Sequence, residues 1–361
     1  MRILYCTSEA NPYAGSGGLA DVAASLPKTL RQRGIDCRVV MPLYGTIPQY
    51  LRDGMHYITN FTVPTAWRRQ YCGVFWAEYD GVTFYFIDNE YYFKRSGLYG
   101  FYDDAERFSF FSRAILEMLP YIDFHPDLIH TNDWQTALVP TYYYFFYSKN
   151  PWYHNIKSLY TIHNIQYQGM YGWEVNTECV GIPEDCTKML EMDGKLNMSK
   201  GAIETSTRVS TVSPSYAKEI LDPWFACGLD QILKRRAYKL CGILNGIDND
   251  SYNPATDFHM YANYTPEYPQ GKEECKRRLQ ERLCLAQRGD IPLIAMVTRL
   301  VSHKGLDLVR GGIEHILDNY DVQFVVLGSG DKEYLSDKAL CPEADRDGSD
   351  GQSLLLSWLC A

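Results

Sequence analysis

The stretch NPYAGSGGLADV, Asn11 to Val22, frames the whole chain. It follows an apolar run, Ile3 to Cys6, with the character of a buried strand. It precedes Leu19 to Leu30, whose apolar spacing predicts a helix. Gly15, Gly17 and Gly18 therefore stand where strand gives way to helix. Glycines at such a junction let backbone N–H groups approach an anion closely, and the helix start adds a favourable dipole. Asp21, one turn into the helix, brings a carboxylate to the same mouth. The combination points to a pocket for a phosphorylated ligand that also carries hydroxyls. A glycine-rich turn without a ligand is the competing reading.

Gly15-x-Gly17-x-x-Ala20 formally matches the dinucleotide fingerprint. That fingerprint needs a tight turn straight off the strand and an acidic residue about 20 positions on, at the end of the second strand. Here the long loop Ser8 to Ser16 intervenes, and the nearest acid, Asp36, precedes the second strand. A nicotinamide-dependent oxidoreductase therefore rests on this match alone. No G-x-x-x-x-G-K-[ST] occurs, which excludes a P-loop.

Beyond the first helix, Arg33-Gly34 is a helix-end signal and Cys37 to Met41 a second buried strand, giving β-loop-α-turn-β, the opening of a doubly wound sheet. Tyr57 to Asp88 alternates in short segments, as in a β-rich insertion or meander. A helix is expected over Ala105 to Leu119. Asp127 to His130, Ser158 to Ile162 and Arg208 to Val212 read as further buried strands, with helices near Gln135, Met198 to Glu204 and from Pro214. Ser213-Pro214 is an N-cap followed by proline at the first helical position. Leu240 to Leu244 leads into a turn at Asn245. Asp133, His163 and Asn245 fall at carboxyl ends of strands, where parallel sheets place ligands.

Asn253 to Pro269 is rich in proline, tyrosine and polar residues, and Lys272 to Leu285 is a charged amphipathic helix. Strands at Ile291 to Val297 and Val322 to Leu327 flank a polar loop and a helix from Gly305 to Leu317. The second strand is closed by Gly328-Ser329-Gly330-Asp331. These patterns give a domain at 1–253, a linker and charged helix at 254–290, and a second α/β unit at 291–361. The patterning is lost from about residue 335. A segment of about 70 residues with two clear strands is too small for a complete doubly wound core, so the second domain is expected to be incomplete.

The chain has 361 residues and 46% hydrophobic content, ample for sizeable cores. A net charge of −9 without a basic block argues against nucleic acid as partner. Twenty-nine tyrosines suit a surface that handles sugars, although most are expected in the core. The 11 cysteines are scattered, with no C-x-x-C pair, so neither a zinc site nor a disulfide framework is indicated. No signal peptide opens the chain, and no apolar run approaches the ~18 residues of a membrane span. A cytoplasmic protein without membrane partners is expected.

Asp133 and His163 would converge if their strands are near neighbours, either for acid–base work or to hold sugar hydroxyls. Asn164 and Asn245 could bond hydroxyls or serve as turn residues. Arg299 and Lys304 share the loop between the second unit's first strand and helix. Two cations there suit a diphosphate whose charge grows as its bond breaks.

The stretches RILYCTSEANPYAGSGGLADV, RVVMPLYG, HTNDWQTAL, YTIHNIQYQGMY, STVSPSYAKEI, GILNGID, VTRLVSHKGLDLV and LGSGD together resemble the bacterial glycogen synthases and plant starch synthases, in order, over roughly residues 1 to 334. The resemblance implies a GT-B fold, two Rossmann-like doubly wound domains facing across a cleft. It implies retaining transfer of glucose from ADP-glucose to the non-reducing end of an α-1,4-glucan, with no metal and no other cofactor. By position, the Gly17-Gly18 backbone would lie against the donor phosphates. Asp21, Asp133, His163 and Asn164 would line the sugar and acceptor side, and Tyr92 and Asn245 would add contacts. Arg299 and Lys304 would neutralise the leaving diphosphate.

Two departures stand out. The family usually carries Lys-Thr-Gly-Gly-Leu at the glycine loop, where this chain has Gly15-Ser16-Gly17-Gly18-Leu19. The family's later Glu-Pro-Cys-Gly-Leu segment and paired-glutamate motif have no counterpart here, and the stretch after Tyr334 resembles nothing in the family. The expectation is a synthase by descent, impaired by truncation, with a non-catalytic glucan-binding remnant as the alternative. The purified chain should elongate glycogen weakly or not at all with labelled ADP-glucose, and robust elongation would contradict this.

Overall fold

In the computed structural model, which describes residues 1–328, 330–335, 344–345 and 354–358, the apolar run at the start forms β1, Arg2–Cys6. From Ile3 onward every side chain of β1 is buried. After the glycine loop, α1 spans Gly18–Gln32 and lays Ala20, Ala23 and Pro27 inward. Gly34, at φ 79°, ends the helix as Arg33-Gly34 predicts. The Ile35 N–H returns to the Leu30 carbonyl at 3.0 Å, which satisfies one of the helix's orphan acceptors. The chain then enters β2, Asp36–Pro42, parallel to β1.

The alternating stretch that follows forms β3 (His56–Thr65), β4 (Arg68–Tyr79) and β5 (Val82–Asp88). It is an extension of the main sheet rather than an insertion. β4 pairs antiparallel with both β3 and β5, while β5 pairs parallel with β2. Helix α2, Asp104–Met118, crosses over to β6, Leu128–Asn132. β7 (Lys157–Ile162), α3 (Met198–Thr205), β8 (Arg208–Thr211), α4 (Pro214–Glu219) and β9 (Leu240–Gly242) follow. The Ser213 hydroxyl accepts the Tyr216 N–H at 2.9 Å, the cap that Ser213-Pro214 signals. A small antiparallel sheet of 170–171, 191–192 and 195–197, without a sequence signal of its own, precedes α3.

The large sheet runs β9-β8-β7-β6-β1-β2-β5-β4-β3. The chain leaves β1 toward β2 on one side and later returns to β6 on the other. The strand order therefore reverses between β1 and β6, the point at which open α/β sheets leave a crevice at their carboxyl edge.

The chain divides into two compact units, 1–247 and 248–361. In the second, α5 (Gln270–Arg282) is joined to the strand layer by Gln280, whose amide donates to Gln323 Oε1 at 2.7 Å. β10 (Leu293–Val297) pairs parallel with β11 (Gln323–Gly328), and α6 (Leu306–Asn319) connects them. Leu300, Leu306, Ile313, Phe324, Val326 and Tyr334 form its small core. Val297 is 75% exposed, in contrast to the buried parallel strands of the first unit. Residues 354–358 pair antiparallel with β11. Ser329 and most of the tail expected to lack α/β patterning lie outside the described residues.

Helix α2 carries a fully buried cation. Arg107 donates from Nε to the Tyr92 carbonyl (2.7 Å) and from Nη1 to the Leu98 carbonyl (3.2 Å), and it pairs with Asp104 Oδ1. The other Asp104 oxygen accepts the Gly100 and Phe101 N–H groups, so one carboxylate neutralises the core charge and shapes the preceding turn. Asp104→Asn leaves the guanidinium without its counter-charge and should cost about 3–5 kcal/mol. Urea unfolding checks this, and an unchanged midpoint would contradict it.

Candidate functional site

The loop between β1 and α1 is a built structure. The Thr7 hydroxyl donates to the Glu9 carbonyl at 2.7 Å. Ala10 and Ala14 exchange N–H···O bonds of 2.8 and 3.0 Å, closing residues 10–14 into a tight turn. Tyr13 swings from that turn into the core, its ring centre 4.8 Å from that of Phe86. Asn11 donates through its side chain to Asp21 Oδ1 at 2.8 Å and through its backbone to the Ala20 carbonyl at 3.2 Å. The carboxylate of Glu9, a residue only 4% exposed, accepts both the N–H and the hydroxyl of Ser16 at 2.7 Å. Gly17 then caps α1 in an extended conformation with no side-chain cap. A Cβ placed on Gly17 or Gly18 would meet nothing within 4 Å. The first-turn N–H groups of a helix have no intrahelical partners, and here open space lies beside them.

A second cluster forms at the ends of β6 and β7. The Asn132 amide donates to the Cys6 carbonyl at 2.9 Å, tying β6 to β1 where the sheet order reverses. That bond turns its Oδ1 toward His163 Nε2, 2.9 Å away. An amide oxygen only accepts, so Nε2 carries the proton and Nδ1 keeps its lone pair. Burial draws the His163 imidazole down to about 4, so it is neutral near pH 7. His130, drawn down to about 3 by burial and the neighbouring His163, is likewise neutral and meets the Thr161 hydroxyl at 2.7 Å.

Asp133 and His163 do converge, but through the backbone. Asp133 Oδ1 accepts the N–H of His163 at 2.7 Å and of Asn164 at 3.3 Å. The carboxylate thus orders the 163–164 turn, while Asn132 orients the ring. Asn164 in turn accepts the Gln166 N–H at 3.0 Å. Asp133 itself sits at φ 55° and ψ −178°, a region that side chains other than glycine's rarely occupy. Although part of its surface is open, protein crowds its carboxyl closely. Burial raises the pKa to about 7 against the opposing pull of the two N–H groups.

Two other expected residues take different roles. Tyr92 does not reach a ligand surface. It is fully buried, its ring centre is 4.9 Å from that of Phe110, and its hydroxyl donates to Glu106 at 2.5 Å. Its aromatic neighbours claim it for the core. Asp21 acts as the anchor for Asn11 and binds loop to helix. Asn245 is exposed in the loop just beyond β9, at the same carboxyl edge. In the second unit, exposed Arg299 follows β10, and Lys304 closes the turn Ser302–Lys304 before Gly305 and α6.

Sequence reasoning passed over Glu9, Asn11, Ser16 and Asn132. The neighbourhood held a signal for each: Asn132 adjoins Asp133 at a strand end, and Glu9 opens the loop that the glycines close. Among the described residues, no group of three or more His, Cys, Asp or Glu is placed to hold a metal ion.

The Asp133 carboxyl binds its proton more tightly in the folded chain than in the unfolded one, where the value is near 3.9. Its contribution to stability is therefore present below about pH 4 and is lost as pH rises through about 7. Asp133→Asn keeps the accepting oxygen without the charge. The variant should be more stable than wild type at pH 8, by at least the ~1.4 kcal/mol that corresponds to a tenfold change in proton affinity, with the gap closing toward pH 4. Urea midpoints at both pH values check this.

The chain matches the family model described as "Starch synthase catalytic domain" over residues 2–235. It is 48% identical over 338 residues to a glycogen synthase of Bacillus cereus (strain B4264), covering 92% of this chain and 70% of that protein. A glycogen synthase of Desulforamulus reducens is also 48% identical, over 336 residues, with the same coverage. Among solved structures, the catalytic domain of starch synthase IV from Arabidopsis thaliana, bound to ADP and acarbose, superposes with a TM-score of 0.85 at 34% identity, covering 92% of this chain and 69% of that one. No helix among the described residues is long and apolar enough to cross a membrane. With a glycine loop at the switch point and these relatives, the chain belongs to the glycogen and starch synthase family, glycosyltransferases of GT-B fold.

Proposed function

We propose that the chain carries out, weakly, the transfer of glucose from ADP-glucose, with retention at the anomeric carbon, to the non-reducing end of an α-1,4-glucan in the cytoplasm. The observation that carries this reading is the uncapped start of α1. The backbone amides at Gly17 and Gly18 are flanked by open space, at the same carboxyl edge of the sheet as the neutral His163 and the ordered 163–164 turn. The glycines take the donor phosphates, since backbone amides at a helix start suit a diphosphate. His163 accepts a sugar hydroxyl at Nδ1 and Asn164 bonds another. Both backbone bonds fall on Oδ1 of Asp133, which leaves Oδ2 for an acceptor hydroxyl. Asn245 adds a hydroxyl contact at the same edge.

During transfer the bond from C1 to the β-phosphate oxygen breaks and a bond from C1 to the acceptor oxygen forms. The acceptor's hydroxyl proton passes to a β-phosphate oxygen of the departing ADP. Negative charge builds on the departing diphosphate, and Arg299 and Lys304 neutralise it in the second unit's β10–α6 loop. The choice of ADP rests on family membership, supported by relatives named as glycogen synthases and a neighbour solved with ADP.

The test is incorporation of labelled glucose from ADP-glucose into glycogen, sensitive enough for weak turnover. Arg299→Ala and Lys304→Ala should each lower kcat about 100-fold or more, as loss of a group on developing charge does elsewhere, with KM for glycogen little changed. Unaltered kcat in both variants would overturn their assignment.

A further inference from the structure

Gly15 and Ser16 lead into the paired glycines of the loop, and the structure shows what holds them. A Cβ at Gly15 would lie 2.7 Å from both Ala20 Cβ and Asn11 Oδ1, so this loop conformation has no room for a side chain. The next residue, Ser16, is exposed, yet both its N–H and its hydroxyl bond to Glu9 Oε2 at 2.7 Å. Glu9 is nearly inaccessible, and its own backbone is clamped by Thr7, whose hydroxyl donates to the Glu9 carbonyl and accepts the Glu9 N–H at 3.3 Å.

We propose that Glu9 is a positioning residue for the donor: its buried carboxylate locks Ser16 and so holds the Gly17 and Gly18 amides in line with the diphosphate. The inference rests on the donor reading of those glycines given above. A negative charge so near an anion site would work against binding if it faced the ligand. Here the residue is only 4% exposed, and Ser16 covers one oxygen with two donors. Charge-assisted bonds of this kind are stronger than neutral ones, and glycines in a loop beyond a strand end have little else to fix their φ and ψ. The loop therefore gains from a rigid internal acceptor what its own side chains cannot supply.

The 361-residue chain is compared with Glu9→Ala, Glu9→Gln and Ser16→Ala. ADP affinity is read by calorimetry, and amide hydrogen exchange over residues 14–18 is read without ligand. Glu9→Ala should weaken ADP binding about tenfold or more and speed exchange at Ser16, Gly17 and Gly18. Glu9→Gln should recover most of the affinity, because its amide oxygen can accept both Ser16 bonds. Ser16→Ala, at an exposed position that folding tolerates, should weaken ADP binding several-fold, with KM for glycogen unchanged in any variant that turns over. A wild-type chain that binds no ADP would remove the donor reading itself. ADP affinity that survives both Glu9→Ala and Ser16→Ala would overturn the role of Glu9 while leaving that reading intact. Loss that Glu9→Gln fails to restore, accompanied by a fallen unfolding midpoint, would make Glu9 a structural residue only and also overturn the proposal.

Discussion

One hydrogen bond, from the Asn132 amide to the Cys6 carbonyl, organises the carboxyl edge of the large sheet. It joins β6 to β1 where the strand order reverses, and a parallel sheet must leave a crevice there. Because the amide nitrogen is committed to Cys6, its oxygen faces His163 and sets the tautomer of that ring. The adjacent Asp133 then accepts the backbone of the next strand's exit turn. A chain of single-direction donors and acceptors thus passes from β1 to β7, with little rotational freedom left at any link.

The glycine loop solves the opposite problem. Its function calls for bare amides, so the residues that present them cannot hold themselves in place. The order comes from outside: Tyr13 is anchored in the core, Ala10 and Ala14 close the turn, Asn11 is tied to Asp21, and Glu9 holds Ser16. Bareness at Gly17 and Gly18 is possible because the residues around them are over-determined.

Much of this was readable in residues 1–250. Ile3 to Cys6 is short and wholly apolar, and Cys37 to Met41 is interrupted only by Arg38, the pattern that buried parallel strands show. Ser213-Pro214 and Arg33-Gly34 marked helix ends by local chemistry alone. The stretch Tyr57 to Asp88 was legible as strands but not as part of the main sheet. Alternation reports one wet face and says nothing about which strand lies beside β2. Tyr92 shows the same limit from another side, since an aromatic residue has one letter whether it faces a ligand or a core. The roles of Asp133 and Asn132 depended on which backbone groups lay within reach across β6 and β7. Such a relation between residues some 30 positions apart leaves no periodic trace.

The backbone of Asp133 has an evolutionary consequence. Its φ and ψ belong to glycine territory, and such a conformation costs on the order of 1–3 kcal/mol for other residues. Glycine would relieve that strain but leave the His163 and Asn164 N–H groups without their acceptor, whereas asparagine would keep the acceptor and lose only the charge. Thermostability alone would therefore favour erasing the carboxylate. In a lineage where selection for activity lapsed, this aspartate would be among the first residues to drift, while the buried strands around it stayed the same. The identity of residue 133 across natural copies of the chain is thus a record of whether they are still at work.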